Sequence, residues 1–371
     1  MVSKSLGDRP KQYFYDSLFF VETMSKILRS TTDLVTNGLV SEDVDVIAQT
    51  EEQFSIAITP AMQQQMQSYS TSHDPVARQF IPMPEELVFL DEELADPIGD
   101  DPYTKVKGIT HRYPDRLLLK PLHTCSVYCR FCFRREKVGQ GSEGLSNAEL
   151  DTALDYIQTH SEVWEVILTG GDPLIMPHNR LRDIVQRLDQ IEHVKVIRIH
   201  TRIPSVEPER VTEKMVRALN VKTAVYVVLH CNSAQEIGEP QRNAIARLVD
   251  AGIPMLSQSV LLKGVNDTPE ALEALVRTLI ENRVKIYYLH HGDLAQGTSH
   301  FRTTIAEGQS LMKTLRGNVS GICQPLYVLD IPGGYGKVPL MPNYYNQEKS
   351  EVEDYQGQVH PYPPKCEPKN L

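Results

Sequence analysis

The sequence predicts an α/β protein built on a parallel sheet, and three observations point there. Six short apolar runs recur between about residues 117 and 292: LLLKPLHTC, VWEVILTGG, VKVIRIHTR, TAVYVVLHC, PMLSQSVLL and KIYYLHHG. Their length and their β-branched and aromatic content suit buried strands. Between them, Leu150/Ala153/Leu154/Ile157, Leu181/Ile184/Val185/Leu188 and Leu272/Leu275/Val276/Leu279 repeat at i, i+3, i+4, i+7, the spacing of a helix with one apolar face. Helix starts are also written in the chain. Ser146 and Glu149 stand in capping-box positions flanked by Leu145 and Leu150, and Thr268-Pro269 opens another helix. Strands alternating with helices require parallel pairing, either doubly wound or curled into a full or partial barrel. Both architectures place functional groups on the loops that follow the strands.

The flanks differ from this middle. Residues 1–95 read as a helical N-terminal region rich in Gln, Ser, Glu and Asp and broken by IPMPEEL, and residues 96–320 hold the strands. Residues 321–371 form a C-terminal segment, in which the apolar run QPLYVLDIP leads into GGYGK and a polar tail with five prolines. That tail is expected to wrap over the surface or a neighbouring subunit. There is no repeat at solenoid period and no low-complexity stretch.

Composition excludes several classes. At 371 residues, 41% hydrophobic and 23% charged, the chain is an ordinary globular protein with no apolar run near the roughly 18 residues a bilayer span needs. The N-terminus shows no apolar core followed by a small-residue cleavage site, so a cytoplasmic location is expected. With 38 Lys plus Arg against 48 Asp plus Glu, the net charge of −10 gives no footprint for nucleic acid. Six cysteines are too few for a disulfide scaffold, and three of them crowd into CSVYCRFC.

Cys125, Cys129 and Cys132 directly follow the first strand with x3 and x2 spacing. Such a loop can direct three thiolates onto one metal centre, and no fourth ligand follows nearby to close a structural zinc site. Three thiolates on a four-iron cluster would leave one iron open. The alternatives are cysteines merely near one another, or zinc completed from a distance. After the second strand, Gly170-Gly171-Asp172-Pro173 offers close backbone approach and a carboxylate, although GGDP alone reads as an ordinary turn. His230 and Gln258 are polar residues at or near the ends of the fourth and fifth strands.

In HRYPDR, Arg112, Tyr113 and Arg116 put two guanidinium groups and a phenol within five residues, a set suited to a dianionic phosphate as well as to a plain charged surface. Lys337 stands on a glycine-rich turn after an apolar run in DIPGGYGKVP. The segment lacks the spacing and the hydroxyl residue of a Walker A loop. A lysine there can instead reach a pocket and form a Schiff base with an aldehyde.

The CxxxCxxC pattern at the first strand of an α/β unit resembles the radical S-adenosylmethionine (SAM) superfamily. Four further features, taken with that cysteine motif, resemble the lysine 2,3-aminomutase family: Arg134-Arg135 after the cysteines, HRYPDR, GDLAQGTSHFRT and DIPGGYGK. They occur in the family's order between about residues 90 and 350. The resemblance implies a partial (β/α)6 TIM-like radical SAM barrel with a helical N-terminal layer and a C-terminal extension. It also implies a [4Fe-4S] cluster on the three cysteines and SAM held by Gly170, Gly171, Asp172, His230 and Gln258. Pyridoxal 5′-phosphate (PLP) would sit on Lys337 with its phosphate at Arg112, Tyr113 and Arg116. The reaction implied is 2,3-amino migration between L-lysine and β-lysine through a 5′-deoxyadenosyl radical.

Arg134 would hold the substrate carboxylate, and Asp293 and Asp330 its distant ammonium. A flavodoxin or ferredoxin would supply the electron, and a homo-oligomer is expected. Departures from the family pattern are Phe131 in place of histidine, HHG before Asp293, and missing zinc ligands: the helix opens at Thr268 rather than after a cysteine, and the tail has only Cys366. Zinc is therefore expected to be absent. Rival readings are an aminomutase for another cationic amino acid such as arginine, a supplier of β-lysine to elongation factor P, and a non-catalytic iron–sulfur protein.

Overall fold

The computed structural model describes residues 26–139 and 144–364. Ten strands form one sheet: β1 (Thr104–Val106), β2 (Ile109–Tyr113), β3 (Arg116–Leu122), β4 (Glu165–Gly170), β5 (Val196–Thr201), β6 (Ala224–His230), β7 (Met255–Val260), β8 (Val284–His290), β9 (Leu326–Ile331) and β10 (Gly336–Pro339). They lie in sequential order, and every neighbouring pair from β3 to β9 is parallel. A doubly wound sheet would reverse its order at a switch point. Unbroken sequential order is the winding of a barrel, so the alternative that the strand pattern left open is settled. β1 pairs only with β2 and β10 only with β9, so among the described residues the barrel stays open. The parallel series has seven strands rather than the six expected. The seventh is β9, the QPLYVLDIP run, which pairs with β8 and brings the Lys337 turn into the sheet.

Among the described residues, four short helices precede the sheet: α1 (Thr31–Thr36), α2 (Val44–Gln53), α3 (Pro60–Gln65) and α4 (Ala77–Phe80). The helices that follow are α5 (Asn147–Thr159), α6 (His178–Asp189), α7 (Ile203–Val206), α8 (Glu213–Ala218), α9 (Glu239–Asp250), α10 (Pro269–Glu281) and α11 (Ile305–Asn318). The capping box of Ser146 and Glu149 forms at the start of α5, and the Thr268 hydroxyl accepts from Ala271 N to start α10. The predicted apolar faces of α5, α6 and α10 are all buried in the main core against Leu117, Leu119, Val166, Leu168 and their neighbours. Each such side chain contributes roughly 1.5–3 kcal/mol by leaving water. No helix among the described residues is long and apolar enough to cross a membrane.

The N-terminal layer has its own core, in which Leu34, Ile58, Met62 and Phe80 pack with Val127 of the cysteine loop and Val206 of α7. A buried ion cluster pins the layer further. Arg130 reaches Glu86 through Nε at 2.9 Å and Nη2 at 2.6 Å, and Arg135 reaches the same carboxylate. Burial alone would raise the Glu86 pKa, but the two guanidinium groups outweigh it and hold the carboxylate below its usual range. The open seam of the barrel is bridged at its rim. A Cβ on Gly99 would lie 2.3 Å from Gly334 N, so the chain entering β1 touches the turn entering β10 backbone to backbone.

Candidate active site

The loop after β3 contributes its three half-buried cysteines to the lining of a cavity of about 590 Å³. Burial raises all three thiol pKa values: Cys125 well above the free value, Cys132 to about 11, and Cys129 less because the Arg202 charge opposes the rise. Unbound, these groups are neutral. A bound metal centre reverses that preference, since a coordinating thiol gives up its proton. Among the described residues no three His, Cys, Asp or Glu side chains converge on a single ion. Iron–sulfur clusters are held by cysteine thiolates, which these three residues can supply.

The turn after β4 is the seat of that loop. A Cβ on Gly171 would stand 2.1 Å from Thr124 O, and one on Gly170, where φ is +107°, 2.5 Å from Leu122 O. Close approach was expected from these glycines, but what approaches is the cysteine loop itself. Asp172 also acts within the fold. Its Oδ1 accepts from Leu174 N at 3.0 Å and Thr201 Oγ1 at 2.7 Å, and its Oδ2 from Arg202 N at 2.6 Å. The carboxylate that the resemblance directs at the SAM ammonium thus ties β4 to the end of β5. Burial nevertheless raises its pKa despite these bonds.

Strand ends supply neutral polar groups to the same cavity. Burial holds His200 and His230 well below the usual histidine pKa, and the Nε2 of each is buried without a partner. Gln258 Nε2 lies 3.3 Å from His200 Nδ1. Such orphaned groups are costly unless a ligand meets them.

In the same cavity, Asp100 joins two arginines that the resemblance assigns to different ligands. Arg112 Nη2 lies 2.9 Å from Asp100 Oδ1, and Arg134 Nη2 lies 2.7 Å from Oδ2. Burial would raise the Asp100 pKa, but Arg134, Lys120 and Arg112 together depress it. Arg116 stacks 3.8 Å from the Tyr113 ring centre, and the Tyr113 hydroxyl accepts from Lys337 N at 2.9 Å.

Lys337 and Asp330 face each other across the β9–β10 hairpin. The lysine amine pairs with the Asp330 carboxylate and lies 3.3 Å from His290 Nδ1. Asp330, which the resemblance reserves for substrate, has the chain's own lysine as its cation here. Asp293 differs. No hydrogen bond or ion pair to it is found among the described residues, and burial, then the Asp330 charge, raise its pKa to about 7.

All the residues singled out from sequence line this one cavity: the three cysteines, Gly170 to Asp172, His230, Gln258, Arg112, Tyr113, Arg116, Arg134, Asp293, Asp330 and Lys337. These residues, drawn from a 226-residue span, thus share one chamber. Cys366, on which part of the zinc expectation rested, lies outside the described residues.

Comparison with known proteins gives the family. The family model described as Radical SAM superfamily matches residues 119–279, and the one described as Lysine-2,3-aminomutase matches residues 312–371. L-lysine 2,3-aminomutase of Methanococcus maripaludis is 36% identical over 94% of this chain and 79% of its own length. The enzyme of that name from Acetoanaerobium sticklandii is 39% identical over 87% of this chain and 79% of its own. The chain belongs to the lysine 2,3-aminomutase family of radical SAM enzymes. It is therefore an isomerase, and a cluster with SAM follows from the superfamily. Glutamate 2,3-aminomutase of Clostridioides difficile is also similar, 35% identical over 87% of this chain and 74% of its own.

Sequence reasoning missed Asp100, His200 and Arg202, of which the last is the most connected. Arg202 Nη1 donates to Cys129 Sγ at 2.8 Å and Nη2 to Glu236 at 2.5 Å, with the guanidinium 5.0 Å from the Phe80 ring centre. Its one sequence signal was a lone charge directly after an apolar strand.

Proposed function

We propose that this enzyme interconverts L-lysine and β-lysine, with SAM on a [4Fe-4S] cluster and PLP on Lys337. The observation that carries the substrate choice is Asp293, a half-buried carboxylate with no hydrogen bond or ion pair among the described residues, which shares the cavity with a second carboxylate, Asp330. Leaving a charge buried and unpaired is costly, and a ligand's cation removes the cost. The terminal carboxylate of glutamate would add a third negative charge. Identity alone does not separate the substrates, since relatives named for lysine and for glutamate differ by only one to four percentage points.

The residues present fit both cofactors. Cys125, Cys129 and Cys132 would hold the cluster, and the unpartnered Nε2 atoms of His200 and His230, with Gln258, offer polar contacts to SAM. Arg112, Arg116 and Tyr113 would take the phosphate of PLP, and Lys337 would anchor its aldehyde. When bound, the reduced cluster with SAM supplies hydrogen abstraction, and PLP supplies the carbonyl carbon that the migrating nitrogen needs. The chain's own part is positioning. Arg134 engages Asp100 through Nη2, and its Nη1, free of hydrogen bonds among the described residues, suits the substrate carboxylate. Asp293 and Asp330 would set the distance of the far ammonium.

A small electron donor such as flavodoxin or ferredoxin would serve the cluster, consistent with a cytoplasmic enzyme. The test is anaerobic reconstitution with iron, sulfide, PLP and SAM, then incubation with lysine, arginine, glutamate and alanine and analysis of products. β-Lysine as the main product is expected; preference for glutamate or alanine overturns the substrate assignment.

A further inference from the structure

Three neighbouring strands set three groups side by side. β8 ends in His290, β9 carries Asp330 two residues beyond the partner of His290, and β10 places Lys337 opposite Asp330. His290 Nδ1 lies 3.4 Å from Asp330 Oδ2 and 3.3 Å from Lys337 Nζ. One carboxylate therefore has two resident candidates for its cation, and the ammonium of a substrate would be a third. We propose that His290 is a specificity-determining residue that competes with the substrate's cation for Asp330. This inference rests on the reading that the substrate ends in an ammonium group.

Charge balance gives the direction. In the ligand-free chain Lys337 neutralises Asp330, and burial together with the Lys337 charge keeps His290 neutral. When the lysine amine is tied up and loses its charge, that repulsion disappears while Asp330 stays. His290 then protonates more readily, because an adjacent carboxylate favours the imidazolium. The other groups around it do not reverse this. Tyr288 presents a ring centre at 5.6 Å, His200 from β5 and His230 from β6 are held neutral by burial, Asp293 adds negative potential when ionised, and Arg134 is engaged by Asp100, which it shares with Arg112. Below its pKa the imidazolium occupies Asp330 and leaves Asp293 alone to meet a cationic substrate. Above it both carboxylates are open.

The test has two arms on the full-length chain. Carbon-13 histidine labelling, with the His290 signal assigned by its loss in His290→Gln, should show the His290 pKa rising by about one unit or more in Lys337→Met relative to wild type. An unmoved pKa overturns the proposal. In the reconstituted enzyme, the ratio of KM for lysine, wild type over His290→Gln, should climb as pH falls and level off at high pH. Taking the ratio cancels the titration of Asp293, which both proteins share. A ratio flat with pH overturns the competition. If wild type rejects lysine while the NMR shift is present, the substrate reading fails and the coupling of His290 to Asp330 stands.

Discussion

Replacing Asp293 with Asn should move stability and substrate binding in opposite directions. The carboxyl titrates near 7 in the fold and near 4 in an unfolded chain. Between those values the folded state holds a proton that the unfolded state has lost, so stability falls as pH rises, by about 1.4 kcal/mol per unit. Over about three units this reaches roughly 4 kcal/mol, complete above pH 7 and absent below pH 4. Water entering the cavity lessens it to about 2–4 kcal/mol. The Asn variant escapes that penalty. Urea unfolding of the ligand-free protein should therefore show Asp293→Asn more stable than wild type at pH 8 by a few kcal/mol, and nearly equal to it at pH 4. The same change removes half of the charge offered to a cationic substrate. Losing one partner of a buried pair costs roughly 3–5 kcal/mol, so kcat/KM for lysine should fall by two or more powers of ten. A variant destabilised equally at both pH values would refute the premise that Asp293 is an uncompensated charge.

Three further outcomes are expected. Cys129→Ala should lower iron after anaerobic reconstitution from about four per chain and abolish SAM cleavage, measured by iron assay and product chromatography; retention of both would refute the cluster assignment. Lys337→Ala should keep the cluster but lose the covalent link to PLP, checked by borohydride reduction and peptide mapping, and PLP fixed on another lysine would count against the anchor. Glu86→Gln should destabilise the chain by roughly 3–5 kcal/mol in urea unfolding, because Arg130 and Arg135 would be left as buried cations only 1% and 5% exposed.

Much of the fold was legible because buried parallel strands read as continuous apolar runs and their helices carry one-sided patterns. β9 stands apart from the six earlier runs because α11 and its flanking loops separate it from β8, although QPLYVLDIP is itself an apolar run. Site residues were legible where chemistry needs several groups close in sequence, as in CSVYCRFC and HRYPDR. What stayed hidden were pairings made across the chain. Arg202 meets Gln79 over 123 residues, Glu86 meets Arg130 over 44, and Asp100 bridges to Arg134 over 34. No local pattern encodes such partners. The Asp330–Lys337 pairing could have been found, since two residues flanking a Gly-Gly turn at equal distance face each other in a hairpin.

The stitched seam has a consequence for the order in which the enzyme becomes competent. Lys337 N bonds to Tyr113 across 224 residues of chain, and the Gly99–Gly334 contact joins the same two ends of the sheet. Contacts so distant in sequence form only after the intervening strands and helices have drawn the ends together. The lysine proposed to anchor PLP is thus set in place only when the two ends of the open sheet meet, after the proposed cluster loop has its neighbours. On the proposed roles, a chain stalled before the ends meet could carry iron yet would have no formed site for the aldehyde, and covalent capture of PLP would then report that the whole sheet has assembled.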